Sequence, residues 1–120
     1  MAEKDVRGRA GEDRAARYLS EHGYEVRARN WRCAQGELDI VAFHGSDLVV
    51  VEVKTRRSEA FGHPFDAVDA RKRERLWRLS HAWMRAHPES SRGRRLRLDV
   101  IGITGEDPRT AVLEHLEDLR

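Results

Sequence analysis

The stretch Gly36–Arg56, GELDIVAFHGSDLVVVEVKTR, decides how this chain folds. Two runs rich in β-branched and apolar residues, Glu37–Phe43 and Leu48–Thr55, flank His44-Gly45-Ser46-Asp47. A glycine in a short polar interruption between such runs predicts a tight β-hairpin. With Gly45-Ser46 as a two-residue loop, His44 faces Asp47, Asp39 faces Glu52 and Glu37 faces Lys54, from register alone. Leu38, Ile40, Val49, Val51 and Val53 then form a greasy face, and Glu37, Asp39, Glu52 and Lys54 share the other.

Directly opposed side chains hold their Cβ atoms about 4.5–5.5 Å apart. Two carboxylates at that distance repel unless something positive lies between them. Asp39 and Glu52 can give two hard oxygen ligands to Mg²⁺ or Mn²⁺, with the backbone carbonyl of Val53 as a third. Lys54 is then placed to orient or deprotonate a water, or to stabilise charge on a phosphorus under attack. An ordinary hairpin with a wet, charged face fits the same residues. Lys54 would then pair with Glu37 or Glu52, a contact worth little at a surface.

Working outward, residues 4–22 carry apolar positions at helical spacing (Val6, Ala10, Ala15, Tyr18, Leu19, His22), and Gly23 supplies a stop. Gly8 and Gly11 weaken this helix or mark a close backbone approach. Tyr24–Trp31 alternates as a half-exposed strand, with Tyr24, Val26 and Ala28 on one side. After a loop at 56–64, a helix is expected over residues 65–87, with Val68, Leu76, Leu79, Trp83 and Ala86 as its buried stripe and Pro88 as its stop. Residues 90–93 read as a linker. Arg95–Ile103 is a fourth strand. Ala111–Leu119 fits either an edge strand or a helical turn. The order is α-β-β-β-α-β followed by this last element. It predicts one α/β domain over residues 1–120, a mixed sheet of four to five strands flanked by helices.

The 120 residues include 39% hydrophobic and 37% charged side chains, with a net charge of +2. The charge is unevenly spread: Arg71–Arg97 holds ten basic and two acidic residues. Such an Arg-rich excess suits phosphate contact, and it also suits a solvated helix face. Lys72 and Arg75 on the long helix, and Arg56 and Arg57 after the third strand, are the candidate nucleic-acid contacts. The single cysteine, Cys33, closes no intrachain disulfide and suits a reducing compartment. No apolar run approaches the ~20 residues of a membrane span, and no signal-type segment opens the chain, so a cytoplasmic protein without membrane contact is expected.

GELDIVAFHGSDLVVVEVKTR, with GRAGEDRAARYL before it and FGHPFDAVDARKRERL and RLDVIGI after it, resembles the YraN-like family. The resemblance covers nearly the whole chain. It implies a restriction-endonuclease-like fold, similar to that of archaeal Holliday-junction resolvases. Metal-dependent nucleases of that superfamily carry an acid, then Glu/Asp-x-Lys on the next strand. Here these fall on Asp39 and on Glu52-Val53-Lys54, and the resolvase-like layout adds a first-helix glutamate, Glu12. By itself Glu12 reads as an exposed helical charge. The resemblance implies Asp39, Glu52, Lys54 and Glu12 as catalytic residues, Mg²⁺ or Mn²⁺ as cofactor, and DNA, branched or single-stranded, as substrate. Two-fold nucleases of this fold often pair, so a homodimer is a further expectation. The Pro-Asp of the archetypal first motif is Leu38-Asp39 here, which leaves activity open. The same residues also suit a non-catalytic nucleic-acid-binding module or an adaptor. His63 reads mainly as a plain loop residue, Trp83 as core, and Gly8-x-x-Gly11 as a packing feature. No HExxH, GxxxxGK[ST] or GxSxG pattern is present.

Overall fold

The hairpin forms in the register that its turn dictates. His44 pairs with Asp47, and the ladder continues through Phe43–Leu48, Ala42–Val49 and Val41–Val50 to Ile40–Val51. Gly45 takes φ 58° in the loop, a conformation that a residue with a Cβ adopts at a cost. The computed structural model describes residues 2–119. Along the chain lie α1 (Glu3–Glu21), β1 (Glu25–Cys33), β2 (Gly36–His44) and β3 (Asp47–Arg56). A 3-10 turn (Pro64–Ala67), α2 (Ala70–Ala86), the single turn α3 (Pro88–Ser91), β4 (Arg95–Thr104) and β5 (Val112–Leu116) follow.

The sheet order is β1-β2-β3-β4-β5. Only β3 and β4 run parallel. A parallel pair needs a crossover, and the segment holding α2 supplies it. The C-terminal ambiguity resolves to an edge strand, since Val112–Leu116 pairs antiparallel with β4. α/β class, mixed sheet and element order are as the sequence predicts.

Both sheet faces are buried. Ala15 and Leu19 of α1 pack with Ile40, Ala42, Val49, Val51, Ile101 and Ile103. Leu76, Leu79 and Trp83 of α2 pack with Val41, Phe43, Leu48, Val50, Leu98 and Val100 on the opposite face. The expected wet face is therefore corrected: apolar residues fill the middle of the hairpin on both faces, and charge is left at its two ends, at Asp47 by the turn and at Glu37, Asp39, Glu52 and Lys54 away from it. The continuous run Leu48-Val49-Val50-Val51 carries the signal for two-sided burial.

Other boundaries differ for local reasons. The helix expected from residue 65 is interrupted: His63 and Asp66 form a reciprocal cap around the 3-10 turn. Asp69 then starts α2 by accepting from the Lys72 N–H. Val68 is buried just before α2, while Ala86, Val6 and His22 are exposed rather than buried. Residues 88–91 form the turn α3, which takes up the start of the expected linker. In β1 a register shift between Val26 and Ala28 moves Ala28 to the α2 side, while Val26 stays on the α1 side. Leu38 likewise packs on the α2 side, not beside Ile40.

Gly11 sets how closely α1 approaches the sheet. A Cβ there would overlap Thr55 Oγ1 and lie 3.2 Å from Thr55 Cβ. Gly8, by contrast, faces open space. Gly11→Ala should therefore lose about 1–3 kcal/mol of stability by overpacking, despite alanine's better helix propensity. Thr55→Ala in the same chain should recover most of that loss. A double-mutant cycle by urea denaturation checks it, and additive effects would contradict direct contact.

Candidate functional site

Three elements each bring one acid toward the same place: Asp39 from β2, Glu52 from β3 and Glu12 from α1. The β2–β3 ladder ends at Ile40–Val51. A regular ladder continued from there would give the Val53 N–H to the Leu38 carbonyl. Instead it donates to Asp39 Oδ2 at 2.9 Å. The strands part here, and a carboxylate replaces the missing backbone acceptor. On the other side the β1–β2 pairing skips the Asn30–Asp39 step, and Asn30 has φ 53°. In a strand, N–H and C=O of one residue point to the same edge, so the Val53 carbonyl faces the same gap as Asp39.

Across that gap the Asp39 and Glu52 carboxyl groups interact directly, each shifting the other's proton affinity. Glu52 is buried, at 5% exposure. Its Oε2 also meets Lys72 Nζ at 2.9 Å and Lys54 Nζ at 3.3 Å. Burial pushes the Asp39 carboxyl well above the usual carboxylate range, and neighbouring Glu52 pushes it further. For Glu52 burial works the same way, but the interaction with Asp39 and the two ammonium groups outweigh it and hold the carboxyl low. Burial also raises Glu12, with Glu37 adding and Arg29 opposing. Glu12 Oε1 is buried without a hydrogen-bond partner among the described residues.

Glu12, Asp39 and Lys54 border an open cavity of about 610 Å³ whose lining also includes Arg7, Arg56 and Phe61. A second open cavity, about 640 Å³, lies across Gly8 and Glu12 and is bordered by Arg9, Asn30 and Arg32. An orphaned buried carboxylate oxygen and an all-oxygen donor set suit a hard divalent cation. Asp39, Glu52 and the Val53 carbonyl would hold it, with Glu12 beside them.

The structure thus gathers Glu12, Asp39, Glu52, Val53 and Lys54 at one end of the hairpin. Arg56 and Arg57 border the same cavity. Arg56 has no ion pair among the described residues, whereas Arg57 pairs with Glu3 and, at 3.7 Å, with Glu106. Lys72 lies against Glu52, its ammonium 2.9 Å from Glu52 Oε2, and is partly exposed. Arg75 lies elsewhere, over Gly36 where β2 begins. Sequence reasoning does not single out Phe61, which is fully exposed at the cavity rim. Its one signal is a lone aromatic between Ala60 and Gly62 in an otherwise polar loop.

Two other clusters have metal-ligating side chains, Glu59–His63–Glu114 and Asp99–His115–Glu117. In the first, His63 Nδ1 accepts the Phe65 N–H, so Nε2 carries the proton it shares with Glu114 at 2.7 Å. In the second, the Arg97 guanidinium already occupies the cation's place, bonding both oxygens of Asp99 and meeting Glu117 at 3.2 Å. Neither offers a vacant ligand set.

The mixed five-stranded sheet with a helix on each face, and acids with a Glu-x-Lys where its hairpin strands part, define a small α/β protein of the restriction-endonuclease-like fold. The sequence matches the uncharacterised protein family UPF0102 over residues 11–103, and the chain belongs to that family, the YraN-like group. A UPF0102 protein of Paenarthrobacter aurescens (strain TC1) is 49% identical over 116 residues, covering 97% of this chain and 94% of the relative. One from Arthrobacter sp. (strain FB24) is 47% identical over 116 residues, covering 97% of each. One from Streptomyces griseus subsp. griseus is 46% identical over 115 residues, covering 96% of each. No helix among the described residues is long and apolar enough to cross a membrane.

Proposed function

We propose that this protein is a divalent-cation-dependent nuclease that hydrolyses phosphodiester bonds in DNA. The observation that carries this reading is half-buried Asp39 beside buried Glu52, flanked by Lys54 and by the unpartnered oxygen of Glu12. Bound Mg²⁺ or Mn²⁺ supplies Lewis acidity at a phosphoryl oxygen and a water of lowered pKa. Asp39, Glu52 and the Val53 carbonyl would hold the ion. Lys54 lies where an ammonium can orient the attacking water or offset charge on the phosphoryl oxygens. Arg56 offers a paired donor to a flanking phosphate. In hydrolysis the water oxygen bonds to phosphorus, one P–O ester bond breaks, and the departing oxygen takes up a proton.

Calorimetric titration with Mn²⁺ tests the centre. Wild type should bind saturably, and more weakly as pH falls, because the raised Asp39 carboxyl must be deprotonated to ligate. Asp39→Asn keeps an acceptor for the Val53 N–H, so the chain should fold, yet the binding heat should vanish. Equal heats from both proteins would reject the centre.

One observation favours a second reading, a non-catalytic nucleic-acid-binding module: Glu52 already holds two lysine ammonium groups and is neutralised without a metal. Salt-sensitive DNA binding with no cleavage under Mg²⁺ or Mn²⁺ would select it.

A further inference from the structure

Phe61 is 100% exposed. Single exposed apolar residues are common, but this one borders the cavity that holds Asp39, Lys54 and Arg56. The loop that carries it is tied down on both sides. Ala60 N–H donates to Ser58 Oγ at 3.2 Å, and Gly62 N–H donates to the Glu59 carbonyl at 2.9 Å. Gly62, at φ 102°, makes the turn that follows. His63 then fixes the loop's end, capping the 3-10 turn and bonding Glu114 on β5 at 2.7 Å. Internal hydrogen bonds therefore fix the loop that carries the ring at the edge of the cavity, where it buries nothing of its own chain.

We propose that Phe61 is a stacking platform for an unpaired nucleobase beside the scissile phosphate, so that the substrate is single-stranded or carries an unpaired segment. The proposal rests on the nuclease reading above and narrows its substrate class. An aromatic face stacks on a base of any sequence, but only an unpaired, splayed base has a free face to offer. A base-paired duplex keeps both faces of each base covered. The charge around the ring agrees. Arg56 lacks an ion pair among the described residues, and the neighbouring cations Arg7 and Arg57 meet only backbone carbonyls and exposed acids. A phosphate can compete for exposed partners of that kind. The cavity of about 610 Å³ is of the size that encloses a small ligand, enough for a nucleotide unit.

The test measures binding in chelator, so that no cleavage intervenes, with one short single strand carrying a fluorescent purine analogue and the matching duplex. Wild type should bind the single strand more tightly and quench the analogue. Phe61→Ala should weaken single-strand binding roughly 5- to 150-fold, the worth of one aromatic–base stack, and leave duplex binding nearly unchanged. Phe61→Trp should restore both affinity and quenching. Because the ring buries nothing, the melting temperature of Phe61→Ala should match wild type. Unchanged single-strand binding in Phe61→Ala, or equal loss on both DNAs, overturns the platform. So does a change from dimer to monomer in sedimentation with DNA binding intact, which would make the ring a contact between copies of this chain. A parallel Mg²⁺ cleavage assay separates the two readings. Cleavage with no Phe61 effect removes the platform alone, whereas neither binding nor cleavage by wild type removes both.

Discussion

Glu52→Gln and Lys54→Ala should both abolish cleavage of single-stranded DNA while splitting apart in metal binding. Glu52 is the acid on which the site converges, beside Asp39 and ion-paired with both Lys54 and Lys72. A neutral amide there removes a cation ligand and leaves two ammonium groups facing each other. Lys54→Ala leaves both carboxyl groups and removes a competing cation, so Mn²⁺ affinity should hold or rise. Loss of a group that stabilises transition-state charge costs roughly a hundred- to a thousandfold in rate, or about 3–4 kcal/mol of barrier. Single-turnover cleavage beside calorimetry checks both. Undiminished cutting by either variant, or metal binding lost equally in both, would contradict these roles for Glu52 and Lys54.

The second large effect lies away from the cavity. Arg97→Met should lose about 3–5 kcal/mol of stability, because it leaves a buried carboxylate without its cation. Asp99 is 1% exposed and Arg97 7%. The guanidinium holds both Asp99 oxygens at 3.0 and 2.8 Å and donates to Tyr24 Oη at 2.6 Å. Asp99 also bonds His115 at 2.7 Å and the Asp118 N–H at 3.0 Å, which ties the edge strand β5 and the segment after it to β4. Burial acts to raise the Asp99 carboxyl, but the bonds from His115, Arg97 and the Asp118 N–H outweigh it and hold it below the usual range. The folded protein therefore binds fewer protons at this group than the unfolded chain does. Its contribution is fully present above the ordinary aspartate range, about pH 4, and is lost as pH falls through the lowered value. Urea denaturation of wild type and Arg97→Met across acid pH measures both effects. The acid-side loss should shrink in the variant, and Asp99→Asn added to Arg97→Met should recover part of the stability.

How far each of these residues is legible in the sequence follows from how local its signal is. The Gly45-Ser46 turn fixes which residues face each other, so Asp39 and Glu52 can be paired from the sequence. Arg97 and Asp99 look there like an ordinary alternation within RLRLDV, and only packing shows that they are buried together. The same applies to Lys72. Its place in the first turn of α2 follows from the Asp69 cap, but its contact with Glu52 depends on how α2 crosses the sheet. Leu38 departs from its expected face because the facing rule assumes a regular ladder, and the ladder ends just short of it.

The sequence alone determined the α/β order, the hairpin register and the meeting of two acids beside a lysine, because turn geometry and strand period act over a few residues. The tertiary structure alone decided that both sheet faces are buried and that Lys72 joins the acids, and it brought to them the Glu12 that the resemblance had implied. It also decided that Phe61 stands at the cavity edge. These depend on the close seat of α1 at Gly11, on the crossover carrying α2, and on a loop held by its own hydrogen bonds and anchored to β5 through His63.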